Sequence, residues 1–234
     1  MLGLGSSLAT GGGVSEVLLT DISDLSLYLQ NGVGVAVAQW DDSSGNDNHA
    51  TQGTSGDQAA ASGGGLLFVD DEGDHYDLVT DIEFSAQEGF TIFTTITLTE
   101  HDSNQTLLGQ NNVDHFLEFV TGGNNLKVRT DSATTTISPG DGSQGDFEAS
   151  EKFVLTVVRE SGSTGNLHVY KNGVLLAQDS QAANAGAAEF ISVGVRNANR
   201  FLNALLLDLA VYEKQLDADE LADAHSYLTN YHGV

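Results

Sequence analysis

The chain has 234 residues, 40% hydrophobic and 18% charged, which is enough to build a sizeable core and excludes bulk disorder. Its 33 acidic and 8 basic residues give a formal charge of -25, which disfavours nucleic-acid and anionic-membrane partners because both are bound through basic residues. The absence of cysteine excludes a disulfide framework and a Cys-based zinc site.

The N-terminal segment is small and rich in glycine. Residues 1–15 are predicted to form an arm, either flexible or docked onto a partner through Leu2, Leu4 and Leu8. The segment lacks the basic and apolar regions of a signal peptide, and no stretch is long enough to predict a membrane span. Residues 16–234 contain no internal linker and are predicted to form one domain.

Short strands separated by Gly, Asn and Asp turns fill most of the domain. Alternating apolar residues predict strands at 25–29 and, across two glycines, at Val33, Val35 and Val37. Residues 90–98 form the clearest strand, with β-branched and aromatic side chains throughout. Asn172-Gly173 predicts a tight hairpin turn, and the apolar run 205–212 predicts a strand buried on both faces. The remaining predicted strands are 66–69 with its continuation at 76–78, 106–109, 115–120, 126–130, 153–159, 167–170 and 191–195.

The C-terminal segment has a different, helical pattern. Asp217 and Glu220 form a capping-box sequence, Leu221, Leu228 and other apolar residues follow at helical spacing, and Gly233 stands at the C-cap. About a dozen strands followed by one helix predict an all-β sandwich closed by a short C-terminal α-helix.

Several motifs, in order, resemble those of concanavalin A-like (laminin G-type) domains. The resemblance runs through the Trp40–Thr51 segment, the Leu67–Tyr76 strand, Phe90–Phe93, the Val169–Gly173 hairpin and the Leu216–Leu221 helix start. It implies a jelly-roll sandwich of two antiparallel sheets, which often binds glycans and sometimes calcium. Fold alone does not decide a function.

The opening residues resemble the N-termini of structural proteins of bacteriophages of marine bacteria. This resemblance implies a virion-surface protein, either capsid decoration or fibre, with capsid or other virion proteins as partners. The alternative is an extracellular carbohydrate-binding module for host or surface attachment. Homo-oligomerisation stays open.

Two candidate sites lie near the only tryptophan. Trp40, His49 and Tyr76 are candidate glycan-binding residues, because aromatic rings stack on sugars. The alternative is a buried Trp40 and a His49 that belongs to a loop hydrogen-bond network. Calcium is the one candidate cofactor, since it takes oxygen ligands, and the alternative there is a loop organised by Asx turns. Its candidate ligands are Asp41, Asp42, Asn46 and Asp47.

The chain offers one weak match to a catalytic motif. Glycan-hydrolysing sandwiches carry paired carboxylates in the pattern E-x-D-x-x-E, and Glu72, Asp74 and Asp77 reproduce its spacing with a terminal Asp. The resemblance places this segment at a turn and the start of a strand, which implies that its acids are solvated. The chain is therefore predicted not to be an enzyme, with a glycoside hydrolase as the third hypothesis.

Overall fold

In a computed structural model, the described residues are 17–100, 102–110, 115–121, 125–130, 133–137, 147–179 and 185–234. The predicted arm 1–15, with Leu2, Leu4 and Leu8, lies outside them. The strands are β1 (Leu25–Leu29), β2 (Val35–Ala36), β3 (Gln39–Trp40), β4 (Ala50–Thr51), β5 (Ala60–Ser62), β6 (Gly65–Phe68), β7 (Tyr76–Phe84), β8 (Phe90–Leu98), β9 (Gln105–Gly109), β10 (Phe116–Phe119), β11 (Leu126–Thr130), β12 (Ala133–Ile137), β13 (Lys152–Arg159), β14 (Leu167–Lys171), β15 (Val174–Asp179), β16 (Ala188–Val193) and β17 (Ala204–Tyr212). Helix α1 (Ala218–His232) follows, and 3-10 turns lie at Leu19–Asp21 and Asp70–Glu72.

The strands form two antiparallel sheets. The first sheet has the order β15-β14-β13-β8-β17-β6-β5, and β1 also pairs with β17. The second has the order β12-β11-β10-β9-β16-β7-β4-β3-β2. One continuous core lies between the sheets and includes Phe68, Phe90, Phe119, Phe153 and Phe190. The predicted sandwich is confirmed.

A second apolar cluster covers the outer face of the first sheet. Phe93 and Tyr212 project from β8 and β17 and pack edge to face, with ring centroids 6.0 Å apart, beneath Leu228 of the helix. Both strands are therefore buried on both faces, as predicted for 205–212. The helix therefore covers the first sheet and not the outer face of the second.

The sequence signals for the helix ends and the hairpin are confirmed. The Asp217 side chain accepts hydrogen bonds from the N–H groups of Asp219 and Glu220, and Gly233 closes the helix in the left-handed conformation. Asn172 and Gly173 have φ values of 50° and 78°, as a tight hairpin turn requires.

The prediction of a strand across Gly32 and Gly34 is wrong. Only Val35 and Ala36 of the Val33–Val37 segment pair in a sheet, while Val33 and Val37 are 45% and 43% exposed. The flanking Gly32 and Gly34 have positive φ, so the backbone turns where alternation predicted extension. The helix of the described region is neither long nor apolar enough to cross a bilayer.

Candidate functional site

Asp42 organises the loop that carried the predicted calcium ligands. Its carboxylate accepts hydrogen bonds from the backbone N–H groups of Tyr28 at 2.8 Å, Ser44 at 2.9 Å and Asn48 at 3.0 Å. The Ser44 hydroxyl donates to it as well, at 2.6 Å. Four donors therefore occupy the oxygens that a cation would need.

The other three predicted ligands do not converge on Asp42. Asn46 donates its amide to the Leu25 carbonyl at 2.8 Å, and Asp41 accepts from the Gln39 amide at 2.6 Å. Asp47 is exposed with φ 56°. Among the described residues, no group of three or more His, Cys, Asp or Glu side chains is placed to hold a metal. Calcium binding at this loop stays a prediction, and no chemistry below depends on it.

The predicted sugar-stacking rings are buried, which is a correction to their proposed role. Trp40 and Tyr76 are each 1% exposed, so neither presents a ring face to a ligand from solvent. Trp40 donates its indole N–H to the Gln30 carbonyl at 3.1 Å, and the Tyr76 hydroxyl donates to the Val37 carbonyl at 2.7 Å. Both rings anchor the rim of the sandwich instead.

His49 belongs to the hydrogen-bond network of the same loop. Its Nδ1 accepts the backbone N–H of Asp42 at 3.0 Å, and the ring is half-buried. It therefore holds the loop to the start of β4.

The acidic motif places its carboxylates in unlike environments. Glu72 and Asp77 are exposed, whereas Asp74 is 1% exposed and accepts the Val69 N–H at 2.8 Å. Burial raises the pKa of Asp74. The prediction that all three acids are solvated is therefore wrong for Asp74, which faces inward beside β7 while Asp77 faces outward.

An acidic cavity of about 330 Å³ opens at the rim of the sandwich. Asp24, Asp81 and Glu213 line it together with the amides of Asn46 and Asn48. Burial, with the charges of Glu88 and Asp24, raises the pKa of Glu213. This cavity is suited to groups that donate hydrogen bonds and repels anions.

A loop between β16 and β17 lies over the outer face of the second sheet. Gly194 begins this loop, residues 194–202, at φ 86°, and the chain then crosses Gly109 of β9. A side chain at position 109 would collide with the Val195 carbonyl and lie 2.9 Å from the Arg196 Cβ. Glycine at 109 therefore lets Arg196 approach the sheet.

Backbone strain is concentrated in this loop. Asn197, Ala198 and Arg200 have φ values of 51°, 49° and 63°, three of the eight positive-φ non-glycine residues in the described parts of the chain. Hydrogen bonds from Asn197 N–H to the Gln110 carbonyl at 3.0 Å and from Thr106 N–H to the Arg200 carbonyl at 3.2 Å hold it down. Strained segments that the fold holds in place are often functional.

The loop places Arg196 on a buried carboxylate. Arg196 Nε donates to Glu118 Oε2 of β10 at 2.7 Å, and the guanidinium carbon lies 4.0 Å from the centroid of the Phe116 ring. The Glu118 side chain is fully buried, whereas that of Arg196 keeps 12% exposure. The geometry orients the guanidinium on the surface of the sheet.

Three buried polar atoms at or near this pair have no hydrogen-bond partner among the residues that the structure describes. They are Glu118 Oε1, the Thr106 hydroxyl on β9 and Gln110 Oε1 just after it. In the pairing of β9 with β10, Thr106 lies directly opposite Glu118. Buried polar groups are rarely left unpaired in proteins, so this part of the sheet retains hydrogen-bonding capacity.

Basic residues cluster around the same pair. Lys127 lies directly opposite Glu118, Arg129 lies opposite Phe116, and Arg200 follows in the loop. Four of the eight basic residues of the chain are therefore on or beside this patch, which is completed by exposed Thr134 and Thr136 on β12. We call the surface formed by Lys127, Arg129, Thr134, Thr136 and Arg196 the cationic face.

Sequence reasoning did not find the cationic face. The one available signal was the alternation of Lys127 and Arg129 with the apolar Leu126 and Val128, which predicts that both cations point outward. Nothing local connects them to Arg196, which lies 67 to 69 residues further along the chain.

A family model described as the concanavalin A-like lectin/glucanases superfamily, laminin G type, matches residues 70–222, more than half of the chain. The chain belongs to this superfamily. No curated protein sequence matches it significantly. These matches do not show the predicted resemblance to phage structural proteins.

Solved structures with the same fold come from toxins and an enzyme. The binding domain of Paraclostridial mosquitocidal protein 1 has a TM-score of 0.63 and 18% identity over 92% of this chain and 53% of that one. Trypanosoma rangeli sialidase has a TM-score of 0.60 and 14% identity over 90% and 33%. Botulinum neurotoxin type C, whose cell entry depends on two ganglioside molecules, has a TM-score of 0.54 and 15% identity over 90% and 52%.

Sequence identities of 14–18% to these structures establish the fold of this chain but not its activity. The chain spans about a third to a half of the length of each of these structures. The prediction that the chain is not an enzyme is contradicted by the sialidase match. The chain shares its sandwich fold with this enzyme as well as with toxin binding domains.

Proposed function

We propose that this chain is a carbohydrate-binding module whose ligand lies on the cationic face. The observation that carries the proposal is the Glu118–Arg196 pair, which fixes a guanidinium on the same sheet face as the exposed threonines of β12, two strands from Glu118. Fixed donors on rigid strands suit the hydroxyl-rich surface of a glycan.

The structural neighbours support the same class of ligand. One is a sialidase, and another is a toxin that depends on gangliosides, so proteins containing this sandwich act on or bind glycans. In those proteins the sandwich is only part of the chain, so the support is for the class of ligand and not for a site.

A glycan array with two surface variants tests the proposal. Thr136→Tyr places a bulky ring on the cationic face, whereas Val79→Tyr places the same ring on exposed β7 of the same sheet. The purified chain is expected to bind a subset of glycans, Thr136→Tyr to lose that binding, and Val79→Tyr to keep it. Equal loss in both variants, or no binding by the unaltered chain, would contradict the proposal.

A place on a bacteriophage particle is a second proposal, and it rests on the resemblance of the opening residues alone. In this view the sandwich faces solvent and capsid or other virion proteins are its partners. Mass spectrometry of purified particles tests it, and absence of the chain from intact particles would contradict it.

A further inference from the structure

The guanidinium of Arg196 is held at its Nε edge, and 12% of the side chain stays exposed. Its Nε donates to Glu118, while its two terminal nitrogens make no hydrogen bond to any described residue. An arginine fixed in this way presents a planar pair of donors, which matches the two oxygens of a carboxylate.

Lys127 supplies a second unused charge. It lies opposite Glu118 in register, yet Glu118 pairs with Arg196, and Lys127 forms no ion pair within the described ranges. Four of the cations away from the cationic face have partners. Lys171 pairs with Glu151, Lys214 pairs with Glu220, Lys152 donates to the His232 carbonyl, and Arg159 is buried among backbone carbonyls.

The rest of the second sheet has the opposite charge. Asp77, Asp81 and Glu83 project outward from β7, and Glu189 of β16 lies directly opposite Glu83. An anionic ligand is therefore repelled from the β7 side and attracted only at the β10–β12 side. At physiological ionic strength screening limits the repulsion by the net charge to about 8 Å, so the local cations decide the interaction.

We propose that the ligand of the cationic face is an acidic glycan, whose sugar carboxylate is bound by the terminal nitrogens of Arg196 and by Lys127. The inference rests on the proposed glycan-binding function and specifies its class of ligand. The hydroxyls of Thr134 and Thr136 lie along the next strand, where they can bond the hydroxyls of the same or the adjoining sugar.

Calorimetric titration with matched ligands tests this inference. The two pairs are oligogalacturonate with its fully methyl-esterified form, and sialyllactose with its methyl ester, so that within each pair only the carboxylate is neutralised. Within at least one pair, the acidic member is expected to bind about tenfold to a hundredfold more tightly.

Three variants localise the effect. Lys127→Gln removes an unpaired charge, and Arg196→Lys keeps a cation for Glu118 but removes the fork of donors. Each is expected to weaken binding of the acidic glycan about tenfold more than binding of its neutral partner. Lys214→Gln removes an equal charge beside the helix and is expected to have no effect.

The outcomes separate the inference from the proposed function. The inference is overturned if the acidic and neutral members of each pair bind equally and Lys127→Gln does not change either affinity. That result leaves the proposed glycan binding intact. An equal loss in Lys214→Gln also overturns it, because the effect would then be one of net charge. If neither these ligands nor any glycan on an array is bound, the proposed function falls as well.

Discussion

Arg196 and Glu118 are 78 residues apart in the sequence and meet at 2.7 Å on the outer face of the second sheet. The strand that carries Glu118 also carries Leu117 and Phe119 in the core, so the glutamate stands on the opposite face by simple alternation. The strained loop after β16 then brings the arginine over it.

Breaking this pair on one side should be costly. Arg196→Met leaves the buried Glu118 carboxylate without its charged hydrogen-bond partner, and the free energy of unfolding should fall by about 3–5 kcal/mol. The double variant Glu118→Gln/Arg196→Met should recover most of that loss, because no buried charge remains. Urea denaturation of the two single variants and the double variant measures the coupling. A loss below about 1 kcal/mol in Arg196→Met would mean that the carboxylate is not desolvated as described.

Gly109 should be essential to the position of the Arg196 loop. Gly109→Ala places a methyl group against the Val195 carbonyl, which should lower the free energy of unfolding by about 1–3 kcal/mol and weaken ligand binding. Gly53→Ala is the matched control, since no atom lies within 4 Å of its added methyl group. Thermal unfolding and glycan titration of both variants check the prediction. Unchanged binding in Gly109→Ala would show that the loop does not position Arg196 for the ligand.

Arg159 should be the most important single polar side chain for stability. It is fully buried and donates to the carbonyls of Glu88 at 2.7 Å, Gly186 at 2.6 Å and Ser85 at 3.3 Å, beside the Phe90 ring. Arg159→Lys cannot reach all three carbonyls and should lower the free energy of unfolding by about 3 kcal/mol.

Arg200→Lys is the control for that variant, because an exposed arginine should tolerate the change within about 0.5 kcal/mol. Guanidinium denaturation compares the two. Similar midpoints for the two variants would refute the structural role of Arg159.

His225 should make the docking of the helix sensitive to acid. Burial lowers its pKa from 6.5 to about 4, and its ring bonds Thr156 at 3.0 Å and packs on Phe93. A histidine with a lowered pKa in the folded state binds more protons when unfolded. The stabilisation of the folded state by neutral His225 is therefore present above pH 6.5 and is lost as the pH falls toward 4 and below.

The stability of the unaltered chain should consequently fall, relative to that of His225→Gln, by about 3 kcal/mol between pH 7 and pH 4. Unfolding curves of both proteins across this range give the difference directly. Parallel pH profiles would contradict a neutral, buried His225.

The sequence predicted elements whose signals are local. The strand 90–98, the Asn172-Gly173 turn and the capped helix each depend on neighbouring residues, and each was confirmed. The burial of Trp40 depends on its contact with the Gln30 carbonyl across a loop, and the Arg196–Glu118 pair depends on the path of a distant loop. Such contacts are set by tertiary packing, so residue type and spacing alone could not reveal them.

The most direct test of the proposed function is to locate the bound glycan by amide chemical-shift mapping or hydrogen exchange. The best ligand from the array is added to saturation, and the perturbed amides are assigned to elements. The proposal predicts that changes are concentrated in β10 to β12 and in the loop 194–202, and that Thr136→Tyr abolishes them. Changes confined to the acidic rim cavity around Asn46 and Glu213, with the cationic face unaffected, would contradict it.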